Sequence, residues 1–449
     1  MLVLAPTYFL LLTLALVWLR LGPELILALT IGAVALAIMA FNSYLSLHMF
    51  LLVLFFENVL GQTEGITPMK ALGLVILAGW LANMMVERRI GVSRGPLLFA
   101  MLGFVAWAGV CVLTSVNPDT GLQQFASYLQ LILSAIMFNS AIRSRRQLRG
   151  ILIAFLVWTV LATIVAVIMY YAGTTRVAVG FTGNRNTLGL YINMAVVCAL
   201  LMFPTSPRLG QIGLALSLPI LLLGLALTLS RTGLVVMAGA MMVVWYRLAR
   251  HQGFLILVGS AASLLGLFFF LPGVFWKRVE TIVPAIERRE DTWGLRVRIW
   301  QVGVRMIQDY PIMGVGPGNF IPVSQRYSHG RLAGRGLAAH DVYIYVAAEL
   351  GLVGLGGFIA ILVLGLSNAR RAFRRARDDG DLELTLSAVA VELMIWILIG
   401  HGITADVVPT KYFWVIFGLA LALESLTHDP ARAVVARAGT GVQAAPEGA

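Results

Sequence analysis

Apolar runs of about twenty residues follow one another along nearly the whole chain, each long enough to cross a lipid bilayer as one helix. They fall near 3–20, 24–41, 44–60, 69–87, 96–115, 120–141, 148–172, 187–203, 210–229, 232–248, 254–272, 342–368, 384–402 and 408–424. The first three are tightly spaced, so that one could be re-entrant or two could merge, which gives roughly twelve to fourteen spans. Backbone polar groups have no water to bond in a bilayer core, so spans of this length must be helical. Of 449 residues, 59% are hydrophobic and 12% charged. A soluble fold cannot bury that much apolar surface, and the expected fold is an all-α polytopic membrane protein. The opening run MLVLAPTYFLLLTLALVWL lacks a basic leader and a small-residue cleavage site, and is expected to be a first transmembrane helix rather than a removed signal peptide.

The formal net charge is +12, a balance that nucleic-acid binding could explain. The positions of the cations argue otherwise. Arg88, Arg89 and Arg94 fall in one connector; Arg143, Arg145, Arg146 and Arg149 in another. Arg247 and Arg250 fall in a third; Arg370, Arg371, Arg374, Arg375 and Arg377 in a fourth. Alternating the spans puts all of these on one side, which the positive-inside bias makes the cytoplasm. Both termini are then cytoplasmic, and 116–119, 173–186, the Ser230–Arg231 turn, the long loop and 403–407 face the opposite side. Cys111 and Cys198 lie in apolar runs, with neither disulfide nor metal-ligand spacing. The chain divides into N-terminal helices (1–170), helices carrying the Arg231 turn (171–272), a loop region (273–341), C-terminal helices (342–427) and a tail (428–449) rich in Ala and Gly that is expected to be disordered.

The loop region carries Lys277, Arg278, Arg288, Arg289, Arg296, Arg298, Arg305, Arg326, Arg331 and Arg335, and ends at His340. Cations kept on that side suggest an anionic ligand such as a lipid-linked phosphate. Within it, DTWGLRVRIWQVGVRMI (291–307) has Leu295, Ile299, Val302 and Met306 at helical spacing, which predicts an amphipathic helix at the membrane surface. Pro311 and the glycines of PIMGVGPGNF end it, and 321–339 reads as a polar, Gly-rich stretch able to admit substrate.

Several residues could carry chemistry. Arg231, in LTLSRTG, is either an arginine snorkelling from a helix end or an anion clamp, since guanidinium pairs two-pronged with phosphate oxygens. Arg296 and Arg298 are two apart and point differently on a helix; Arg298 is favoured because it shares a face with Arg305. In GFTGNRN (180–186), Arg185 and Asn186 open a helix whose amides suit an anion. GVGPGNF (314–320), with Asn319, is either a phosphate cradle or a plain turn. His340 stands at the mouth of a helix and can accept a proton near neutral pH. His329 and His401 share its side in weaker contexts. Asp341 is a supporting candidate, and Glu349 falls inside a span, where a carboxylate is costly: it pairs with an arginine and braces the site, or it lines the cavity. No hydrolase triad, zinc motif, P-loop or dinucleotide fingerprint is present, so neither metal nor nucleotide cofactor is expected.

Four motifs in order, GFTGNRNTLG, LSRTG, RVRIWQVGVRMIQDYPIMGVGPGNF and AHDVYIYVAAELGLVGLGG, make residues 170–425 resemble the O-antigen ligase/polymerase superfamily of bacterial envelope glycosyltransferases. The resemblance implies a type C glycosyltransferase-like helical fold in the inner membrane, with its site facing the periplasm. It implies a glycan donor on undecaprenyl diphosphate and, in the ligase branch, a lipid A–core acceptor, joined without metal or ATP. The family's arginines fall on Arg231 and Arg298, with Arg296 as the alternative, and its histidine on His340. The first motif departs from the family, which tends to have Pro where Arg185 stands, so a role for Arg185 stays open. A polymerase, a protein O-oligosaccharyltransferase and, more distantly, a transporter of a lipid-linked anion are the competing readings. A transporter would show duplicated halves or interrupted helices, and neither is evident in the sequence.

Overall fold

A computed structural model describes residues 42–56, 68–87, 93–175, 177–246, 292–328, 338–405 and 407–427. The expected spans near 3–20, 24–41 and 254–272, His329 and the tail after residue 427 lie outside them. The described chain is helical, without strands: α1 Ser43–Phe56, α2 Pro68–Glu87, α3 Pro96–Val112, α4 Pro118–Ala141, α5 Arg145–Tyr171, α6 Arg185–Met202, α7 Arg208–Leu227, α8 Arg231–Tyr246, α9 Thr292–Asp309, α10 Phe320–Tyr327, α11 Val342–Asp378, α12 Leu382–Gly402 and α13 Lys411–Thr427. Each apolar run inside the described residues is met by one helix. Of these, α5, α6, α7, α11 and α12 are long and apolar enough to cross a membrane. The protein is thus an all-α polytopic membrane protein.

The starts are set by side-chain caps. Asn117, Ser144, Asn184, Asp341 and Asp381 each accept a backbone N–H from the first turn of the helix they precede. α6 and α12 are mostly enclosed by other helices, whereas α5, α7 and α11 leave more than half of their apolar stretch uncovered, as lipid-facing helices do.

Connectors expected on one side bond to one another. At the basic end, Arg145 pairs with Asp381 at 2.8 Å, and Ser93 and Asn368 both donate to Glu424 at 3.0 Å. At the opposite end, Val116 N–H donates to Val315 O (3.0 Å), Ser230 to Asn186 (2.9 Å) and Thr404 to Thr232 (2.8 Å). The alternation read from the arginines is therefore a real division of the bundle into two ends.

α11 is broken, which the sequence did not reveal. Gly351 has φ 70° and ψ −176°, a conformation open to glycine, and a Cβ there would collide with Ile312 O. The interruption exposes carbonyls just before it, and each finds a donor elsewhere. Ala348 O accepts from Val315 N (2.8 Å), Glu349 O from Gly316 N (3.0 Å) and Leu350 O from the Trp107 indole (2.8 Å). Leu352 N donates to Pro311 O at 2.8 Å. The Gly-rich loop after α9 thus plugs the break.

The amphipathic helix expected at 291–307 is α9, and it ends at Asp309 before Pro311 as expected. The stretch 321–339 is only partly irregular: its first residues form α10, and 329–337 lie outside the described residues.

Candidate functional site

Two helices begin at arginines. Asn184 caps α6 through the amides of Asn186 and Thr187, leaving Arg185 as its first residue. Ser230 Oγ accepts the Gly233 N–H at 3.1 Å, leaving Arg231 at the start of α8. Leu229, with φ 51°, turns the chain sharply between α7 and α8. The Ser230 hydroxyl also donates to Asn186 Oδ1 at 2.9 Å, which locks the two starts together. Both arginines are half-buried. A cation is disfavoured at the positive end of a helix dipole, and two adjoining starts compound the cost. An anion between them would reverse its sign.

His340 stands one residue before the cap of α11. Asp341 Oδ1 accepts from Tyr343 N and Ile344 N, both at 2.9 Å, so its carboxylate is occupied as a helix cap. Burial pushes the Asp341 carboxyl up, and those two amides oppose the shift. His340 itself has φ 51°, a left-handed conformation uncommon for a side-chain-bearing residue and often kept at functional sites. The preceding residue is tied to α9, where the Trp300 indole donates to Ala339 O at 3.2 Å. Partial burial holds the imidazole below its ordinary range, and the Arg296 guanidinium adds to that depression. At neutral pH His340 is therefore uncharged and able to accept a proton.

Arg296, Trp300 and Gly303 share the flank against the start of α11, and a Cβ on Gly303 would run into Ile344. Arg298 and Arg305 do share a face, as the spacing implies, but both are exposed on the other flank. Of the two α9 arginines, the one whose charge bears on His340 is the alternative, Arg296. An Arg296→Gln change removes a cause of the lowered His340 pKa. The acid limb of the rate profile is then expected to move to higher pH. A pH titration of kcat/KM checks this, and an unmoved limb would show that Arg296 does not act on the titrating group.

The Gly-rich loop is not a phosphate cradle. Its amides are already taken: Gly318 N–H and Phe320 N–H donate to the Glu349 carboxylate at 2.8 and 2.9 Å, and Val315 and Gly316 donate to α11. Of the two sequence readings of Glu349, the brace is the one these bonds support. Asn319 is fully buried and donates to Ser115 Oγ (2.7 Å) and Pro317 O (3.0 Å), while its Oδ1 accepts from Asn117 N (3.0 Å). Both residues hold the loop against α3, α4 and α11 and stand behind the site.

The Arg231 and His340 regions meet across the last turn of α12. On one side Thr404 bonds Thr232; on the other the Tyr343 hydroxyl donates to Ile399 O at 3.3 Å, and Gly402 lies under Val342. Sequence reasoning put His401 and 403–407 on this side but gave the turn no part in the site; the available signal was the run of small and polar residues in GHGIT. Among the described residues no group of three or more His, Cys, Asp or Glu is placed to hold a metal ion.

Residues 214–359 match the sequence family described as O-Antigen ligase. That segment is similar to the O-antigen ligase family. The match runs from within α7 past the break in α11, so the matched segment contains Arg231, Arg296, Arg298, Asn319, His340, Asp341 and Glu349. Arg185 and Asn186 lie outside the matched segment and reach it through the bond to Ser230. The matched family is glycosyltransferase-like. No curated protein matches the chain.

Proposed function

We propose that the chain is an O-antigen ligase of the bacterial inner membrane. It would transfer a glycan from undecaprenyl diphosphate to lipid A–core on the periplasmic side, the end opposite the basic connectors. The observation that carries this reading is the joining of the Arg185 and Arg231 helix starts through Asn186 and Ser230, with His340 across the end of α12. Arg231 binds the donor diphosphate, with Arg185 beside it and Arg296 nearest the reacting centre. These cations stabilise the charge that grows on the diphosphate as the glycosidic bond lengthens. His340 orients the acceptor hydroxyl and takes its proton as the oxygen bonds to the anomeric carbon. The leaving group is undecaprenyl diphosphate, and attack from the opposite face inverts the anomeric centre. The Asp341 and Glu349 carboxylates are engaged by backbone amides, which favours direct displacement over a glycosyl-enzyme intermediate at either of them. No step calls on a metal or a nucleotide.

The test uses purified protein, undecaprenyl-diphosphate-linked glycan and lipid A–core, with chelator present and nucleotide absent. Glycan joined to lipid A–core is the expected product. Longer glycan on the prenyl carrier, formed from donor alone, would instead make the protein a polymerase. Glycan on a pilin-like protein acceptor would make it a protein O-oligosaccharyltransferase. The interrupted α11 does not favour transport, because the loop closes the carbonyls that such a break would open.

A further inference from the structure

We infer that His401 and Asn193 are positioning residues that hold Arg231 in place for the reaction. The inference rests on the reading of Arg231 as the donor-diphosphate ligand.

Three helices converge behind Arg231. Gly189 of α6 lies against Gly233 of α8, and Gly400 of α12 leaves room for Val236 of α8. Small residues let helices approach closely, as in other membrane bundles. In this contact sit two polar side chains, Asn193 at 0% exposure and His401 at 1%. The Asn193 amide donates one hydrogen to Gly233 O at 2.9 Å and the other to His401 Nε2 at 3.2 Å. Nε2 is then the acceptor, which assigns the ring proton to Nδ1. His401 Nδ1 and Asn193 Oδ1 have no hydrogen-bond partner among the described residues. Two unmet polar atoms in a bundle interior are costly, and two apolar side chains of similar volume would fill the space without that cost. Packing alone does not account for the pair.

The pair does reach the backbone of α8 two residues after Arg231. The same histidine holds the adjoining residue by a second route: His401 O accepts from Thr404 N at 2.9 Å, and Thr404 Oγ1 donates to Thr232 Oγ1 at 2.8 Å. Residues 232 and 233 are thus fixed from α6 and α12 together. The first turn of α8 has little freedom, and the Arg231 side chain springs from a set point. A misplacement of about 1 Å at a charge-stabilising group is enough to cost a large part of its effect. His401 touches neither reactant in this account and acts only through Arg231.

The experiment measures transfer by the purified full-length chain, with donor and lipid A–core titrated separately. His401→Leu and Asn193→Leu are each expected to lower kcat/KM for the donor about 10-fold or more, with the KM for lipid A–core little changed. His401→Gln, whose carbonyl can still accept from Asn193, is expected to stay within about 3-fold of wild type. In an Arg231→Gln background, His401→Leu should add less than about 2-fold, because nothing remains to be positioned. Thr404→Val, which cuts the second route, gives the same donor-side signature if the leucine variants fail to fold. The inference is overturned if the folded variants keep wild-type constants, or if the His401→Leu loss is equally large without Arg231. Loss of thermal stability with unchanged kinetics would also overturn it and leave the pair a structural tie. If the wild type itself transfers no glycan from the lipid-linked donor, the reading of Arg231 fails first, an outcome distinct from all of these.

Discussion

Replacing His340 by alanine is expected to lower glycan transfer about 10²–10⁴-fold, the range supplied by a positioned general base. The loss should fall on kcat, with the donor KM within about 3-fold of wild type, because the arginines proposed to bind the diphosphate remain. The expectation follows from the position of the imidazole. It is half-buried, lowered in pKa by burial and by Arg296, and set one residue ahead of a helix capped by Asp341. A merely structural histidine there would show a different pattern, with reduced stability and an intact turnover number in the folded fraction. Transfer within about 3-fold of wild type would remove His340 from the mechanism.

The second large effect concerns Glu349. Its carboxylate receives the Gly318 and Phe320 amides, and its own backbone carbonyl receives Gly316 N. Glu349→Leu strands two buried N–H groups, each worth about 1–3 kcal/mol when left unpaired. The loop that plugs the α11 break would then lose its main anchor. The expected result is a fall in stability of about 3 kcal/mol or more, seen as a lower melting temperature in detergent and poor recovery of folded protein. Glu349→Gln keeps one acceptor and should fall between. If Glu349→Leu melts like wild type but transfers no glycan, the carboxylate acts in the chemistry and the bracing account is wrong.

The helices were legible because a bilayer leaves the sequence little choice. Every apolar run within the described residues became a helix, and the described parts of the arginine-rich connectors, around Arg145 and Asp381, lie at one end. The break at Gly351 was not legible, since ELGLVGLGG stays apolar and helical in pattern straight through it. What breaks the helix is a loop from more than thirty positions earlier in sequence, and pairing at that range leaves no local trace. The same distance hid the Gly-rich loop's partner. Seven residues with three glycines suit a phosphate as well as they suit a carboxylate, and only the fold supplies Glu349.

The α9 arginines show a finer limit. Leu295, Ile299, Val302 and Met306 define the apolar stripe correctly, and Ile299, Val302 and Met306 are buried. Arg296 and Arg298 flank that stripe on opposite sides, so periodicity alone cannot say which flank meets a neighbour. Gly303, on the Arg296 flank, was the available signal, because a glycine in a helix commonly marks a close approach. At the Arg231 turn the motif singled out the arginine, but the link of its neighbour Ser230 to Asn186 joins two loops more than forty residues apart and leaves no local trace.

The central claim is a division of labour, with arginines binding the diphosphate and His340 handling the proton. Binding of undecaprenyl diphosphate to the wild type, Arg231→Gln and His340→Ala, measured side by side in detergent, tests it most directly. The account predicts that Arg231→Gln weakens binding about 10-fold or more, as loss of a charge-assisted pair does. It predicts that His340→Ala binds as the wild type does. Equal affinity in all three proteins would contradict an anion site at the joined helix starts, and with it the account of how this domain holds its donor.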